Sequence, residues 1–153
     1  MKTQDSRQFP LRQMILALVF LGIVGLLIEL LLLEHFDSIT QWIPLVSLGL
    51  GLATSVAVAR RPTRSSMLAF QLMMAVFVVT GLLGLVLHLK GNVEWELERS
   101  PDLGGWQLIW EALRGATPAL APGALAQLGL LGLAWSYRHP AMDPDYKAKE
   151  MIQ

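Results

Sequence analysis

The feature that most constrains this chain is a run of apolar residues at 14–33, interrupted only by Glu29. A helix needs about 20 residues to cross a hydrocarbon core of about 30 Å, and this run has that length. Three further stretches follow: 43–59, with Trp42 at its start; 67–89, with His88 near its end; and 118–137. Inside lipid every backbone N–H and C=O must be paired within the protein, which leaves helices and closed barrels. None of the four stretches alternates as a strand would, so helices are the expected form. Hydrophobic residues make up 54% of the 153 and charged residues 16%, against about 25% charge in a soluble domain. The expectation is an all-α integral membrane protein: one domain over 1–153, four transmembrane helices, with the bilayer itself as first partner. That balance excludes a disordered chain and a nucleic-acid binder with a basic field.

Charge gives the direction. Lys2, Arg7 and Arg12 precede the first run, Arg60, Arg61 and Arg64 follow the second, and Arg138, Lys147 and Lys149 follow the fourth. These nine fall on one side of a four-span arrangement, and only Lys90, Arg99 and Arg114 on the other. Basic loops stay cytoplasmic, so both termini are expected inside, in a bacterial cytoplasmic membrane, with 138–153 as a polar tail. Trp42, Trp95, Trp106 and Trp110 then fall at the outer boundary and Trp135 and Tyr137 at the inner one, where interfacial aromatics belong. The basic start could pass for a secretory signal. Its apolar run is longer than an ordinary h-region and no A-x-A site follows, so an uncleaved first helix is the reading.

Between the third and fourth stretches, Leu103, Trp106, Ile109, Trp110 and Leu113 recur at helical spacing opposite Gln107, Glu111 and Arg114. This predicts a short amphipathic helix over 103–114, lying on the outer surface. Thr117-Pro118 reads as an N-cap with proline at the first helical position. Pro122, one turn later, should kink or delay the fourth helix.

Sliding the chain on itself by 59 residues lays Gly22 over Gly81, Gly25 over Gly84 and Glu29 over His88. A repeat of two helical hairpins is one reading of this; shared Leu/Gly composition is the other. In either case Gly22, Gly25 and Glu29 share a helix face, as do Gly81, Gly84 and His88. Gly129 and Gly132 form a similar notch in the fourth stretch. Small residues let membrane helices approach closely, so the first and third helices are expected to pack through them.

Chemistry has few candidates. Glu29 and His88 are ionisable groups within apolar stretches, where such residues are functional or paired, and their matching depth suggests that they meet. With His35 and an acidic rim that includes Glu94 and Glu96, they make an N/O ligand set suited to a hard or borderline divalent metal. In an extended segment Glu94, Glu96 and Glu98 would share a face. Haem between His35 and His88 is a weaker alternative, because the two sit at different depths. There is no cysteine, hence no thiolate ligand or nucleophile, and no catalytic triad, phosphate loop or zinc spacing is present. The expected function is a non-enzymatic accessory or assembly subunit of a larger membrane complex, joined to a membrane-protein partner or to itself. A metal-cation or haem-binding protein with a transport or redox role is the alternative.

Overall fold

The computed structural model describes residues 5–115, 117–118 and 120–143; Lys2, Lys147, Lys149 and most of the polar tail lie outside them. The described residues form five α-helices and one 3-10 turn, with no strand among them: α1 Asp5–Leu32, α2 Ile39–Arg60, α3 Arg64–Arg99, α4 Gly105–Leu113, α5 Gly123–Ser136 and the turn Pro140–Met142.

The helix starts are written in the sequence. Before α2, the side-chain carbonyl of Gln41 accepts from the backbone N–H groups of Asp37 (2.7 Å) and Ser38 (3.1 Å). Before α3, Thr63 Oγ1 accepts from Ser66 N at 3.2 Å while Ser66 Oγ accepts from Thr63 N at 2.9 Å. Each pair satisfies donors that a helix start leaves open.

α1, α2 and α3 are long and apolar enough to cross a membrane. α5 has 14 residues, about 21 Å at 1.5 Å per residue, which is shorter than the expected 118–137. Its start is the reason. Proline has no N–H and restrains the residue before it, and the helix opens at Gly123 only after Pro122 has passed. Thr117 is therefore not its N-cap.

α1 packs on α2 and α5, and α3 packs on α2 and α5, so the four long helices close a ring with α1 and α3 across from each other. Met67, Phe70, Met74, Phe77 and Gly81 form the buried stripe of α3, at the spacing of one helix face. Val19, Ile23, Leu48, Leu125 and Trp135 join it in the core. The glycines set the helix spacing, but not between α1 and α3 as the sequence suggests. A Cβ on Gly22 would lie 2.5 Å from Leu128, and one on Gly81 would lie 2.5 Å from the backbone nitrogen of Ala126. Gly84 abuts Pro122, Gly129 abuts the Met74 carbonyl, and Gly132 abuts the Met74 side chain. α5 is thus the helix that both glycine faces receive. Gly25 has nothing within 4 Å of that position.

α3 is 36 residues long and runs past its apolar stretch to Arg99. The acidic 90–99 segment is helical, not extended. α4 turns back after Ser100 and packs on α3, its C-terminal end beside Asn92. It stands against the α3 extension as an antiparallel hairpin. At the other end of the ring, Pro140–Met142 folds back so that Ala141 and Met142 pack on the core.

Candidate functional site

The polar residues of interest gather at the end of the ring that carries the α1–α2 turn and the α3–α4 hairpin. α1 stops there because Glu34 takes a left-handed conformation (φ 49°), with the N–H of His35 reaching back to Leu30 O at 2.9 Å. This turn swings His35 toward α3. Its ring centroid lies 6.4 Å from that of His88. His88 Nδ1 is 3.3 Å from the carbonyl oxygen of Pro118, so His88 joins three segments: the α1–α2 turn, α3 and the link into α5. The pKa of His35 is lowered from its ordinary value, first by burial and then by His88, against an opposing pull from Asp37.

One and two turns further along α3 come Asn92 and Glu96, both buried. Asn92 makes the densest polar contact of this end. Its Nδ2 donates to Ala112 O at 2.9 Å and to Thr117 O at 2.7 Å. Its Oδ1 accepts from Thr117 N at 3.1 Å and from Thr117 Oγ1 at 2.6 Å. A Cβ on Gly115 would come within 2.7 Å of the Asn92 carboxamide carbon, so glycine there lets the chain close over it. One side chain thereby ties α4 and the segment before α5 to α3. The sequence reading assigns Asn92 no role. The available signal is the spacing His88–Asn92–Glu96, a polar stripe at four-residue intervals on one face of a helix, and it is visible only once 90–99 is taken as helical.

The five candidate metal ligands are not assembled. Glu94 is exposed and paired with Lys90 at 3.5 Å, while Glu96 is buried on another face of the same helix. Glu29 lines a cleft between α1 and α5 with Gly22, Gly25, Leu26, Ala124, Gln127, Leu128 and Leu131. No hydrogen bond or ion pair joins it to His88 among the described residues. Of the set, His35 and His88 are brought together. Among the described residues, no group of three His, Asp or Glu side chains is placed to hold a metal ion. Helical geometry explains this: residues two apart on a helix point to different sides, and the α1 face bearing Glu29 turns to α5.

The exposed surface of α4 carries large apolar side chains, with Gln107 exposed and Glu111 half-buried beside them. Trp106 is 73% exposed, and Trp110, Ile109 and the neighbouring Trp95 are also exposed, while Ala112 is buried. The chain has no significant match to a family model, a characterised protein or a solved structure.

Proposed function

We propose that this chain is a non-enzymatic accessory or assembly subunit of a larger complex in a bacterial cytoplasmic membrane, crossing it four times with both termini inside. The observation that carries the reading is the α3–α4 hairpin, a braced element that presents large apolar side chains. Past Leu89, α3 continues for ten residues, about 15 Å, whereas the headgroup belt on each side of the hydrocarbon is only about 5–8 Å deep. With the hydrocarbon ending at Leu89, Trp106, next to the hairpin turn, stands beyond the depth at which a tryptophan anchors to lipid. Exposed aromatics on a rigid support are the usual anchors of protein interfaces.

The orientation rests on charge. Arg12, the α2–α3 turn with Arg60, Arg61 and Arg64, and Arg138 share one end of the ring, the end that remains cytoplasmic under the positive-inside rule. α5 serves as the fourth crossing, lengthened by the segments on either side. Cysteines introduced at Ser38 and Ser65 test this: an impermeant reagent on intact cells should label Ser38→Cys and spare Ser65→Cys.

The His35–His88 pair favours a second reading, a divalent ion or haem taken between two imidazoles. Ring centroids 6.4 Å apart leave room for one ion with N–metal bonds of about 2.0–2.1 Å, the remaining ligands coming from outside the chain. One preparation separates the two. Mild solubilisation followed by native electrophoresis should find the chain in a stoichiometric complex with other membrane subunits. Trp106→Ala with Trp110→Ala should release it without lowering its own melting temperature. A chain that purifies alone, with stoichiometric metal or a haem absorbance, would overturn the first reading in favour of the second.

A further inference from the structure

We propose that the cleft between α1 and α5 receives a second copy of this chain, with Glu29 of each copy accepting from Gln127 of the other across a two-fold axis along the membrane normal. The cleft measures about 420 Å³, and small residues on it, Gly22, Gly25 and Ala124, lie beside two polar ones, Glu29 and Gln127. Glu29 lies within the apolar span Pro10–Leu32. A carboxylate facing hydrocarbon is costly, and so is an unpaired carboxamide. Both side chains are exposed on the single chain, and neither has a hydrogen-bond or ion-pair partner among the described residues.

α1 and α5 run antiparallel, since Arg12 meets Trp135 while Gly22 meets Leu128. Side chains on a helix lean toward its N-terminus, so Glu29 on α1 and Gln127 on α5 lean toward a common level. An axis along the membrane normal preserves depth. It therefore sets the acceptor of one copy against the donor of the other and repeats the pair, as an isologous contact requires. One cleft thus supplies both halves of the bond, which selects a second copy over an unrelated helix. The open space at Gly25, where a Cβ would meet nothing within 4 Å, allows the second backbone to come close. This contact is independent of the α3–α4 hairpin and of the subunit reading built on it.

The chain has no cysteine, so a single introduced thiol is an unambiguous reporter. Gly25→Cys and Ala124→Cys, oxidised in intact membranes, should give a disulfide-linked species of twice the chain mass. Leu72→Cys, exposed on α3, should stay monomeric. Glu29→Leu or Gln127→Leu in the reporter background should reduce cross-linking several-fold. The exchange Glu29→Gln with Gln127→Glu restores a donor–acceptor pair and should recover it, which a merely misfolded variant would not. Monomer alone at both reporters, equal cross-linking at Leu72→Cys, a product of another mass, or full cross-linking without Glu29 and Gln127 would each overturn the proposal. None of these outcomes bears on whether Trp106 and Trp110 hold a larger complex.

Discussion

Arg12, near the start of α1, donates through Nη1 to the carbonyl oxygen of Trp135 at 2.9 Å, and through Nη2 to those of Tyr137 at 3.2 Å and Arg138 at 3.3 Å. One guanidinium thus closes the C-terminal end of a helix more than a hundred residues away. The last carbonyls of a helix have no partner within it and carry its negative partial charge. A forked cation suits the carbonyls of Trp135 and of the C-cap Tyr137 and reaches that of Arg138 just past the helix. Replacing Arg12 by Gln should lower stability in detergent by about 1–2 kcal/mol, the range for partly exposed hydrogen bonds to a charged donor. Arg12→Lys, a point donor, should recover part of the loss. Equal stability of Arg12→Gln and the parent in a denaturant titration would show that water caps α5 equally well.

Asn92 should be the most sensitive polar position of the opposite end. Asn92→Leu keeps roughly the volume but leaves the Thr117 N–H and two carbonyl oxygens without their partner, an expected loss of about 2–3 kcal/mol. The effect should be local as well as global. Amide exchange should accelerate over α4 and at Thr117 while α2 keeps its protection, because α4 packs chiefly on α3. Thr117→Val, which removes one hydroxyl, should cost about 1 kcal/mol. If exchange in α4 is unchanged in Asn92→Leu, the hairpin is braced by apolar packing instead.

Hydropathy made α1, α2 and the apolar part of α3 legible, because a span of lipid demands length and little else. It could not show that α3 continues to Arg99. Outside the apolar stretch, the acidic run Glu94-Trp95-Glu96-Leu97-Glu98 alternates charged and apolar residues as an extended segment would, and packing against α4 overrides that period. The delay of α5 was legible in Pro122, whereas the use of Thr117 as a partner for Asn92 depends on residues brought from afar. Periodicity also gave the faces of Gly22 and Gly81 correctly but not their neighbour. A pattern fixes which side of a helix is small, and chain topology decides that α5, not the opposite helix, fills it. For the same reason five plausible ligands on paper became a pair of imidazoles and three separated carboxylates.

The glycines differ in a way that substitution can read. A methyl at Gly81 would press on the backbone of α5, and one at Gly129 on the carbonyl of Met74; neither obstacle is the flexible end of a side chain. Gly81→Ala and Gly129→Ala should each destabilise by about 1–3 kcal/mol, as overpacking does. Gly49, helical in α2 with nothing within 4 Å, should behave oppositely. Gly49→Ala should be neutral or gain up to about 1 kcal/mol by restricting the unfolded chain. Thermal melts of the three variants in one detergent make the comparison. A loss at Gly49→Ala matching that at Gly129→Ala would mean that helix approach is not what these glycines provide.

The final expectation concerns pH, and its sign follows from two histidines. His35 is held below its ordinary value of 6.5 by burial and then by His88, with Asp37 opposing. His139, at the other end, is held below 6.5 by burial and then by the Arg12 guanidinium. In both, the folded chain favours the neutral ring, so the unfolded chain binds more protons as pH falls. The stability linked to these rings is fully present above about pH 6.5 and is lost as pH drops through that value toward the folded pKa values. The melting temperature should therefore be lower at pH 5.5 than at pH 7.5. His139→Gln should remove the share of that drop set by burial and by Arg12 at that end, and the double variant with His35→Gln should flatten the profile over this interval. Both sites lie outside the spans, so buffer reaches them in detergent and in bilayers alike. If the double variant loses as much stability between pH 7.5 and 5.5 as the parent does, other groups carry the dependence and the two imidazoles do not.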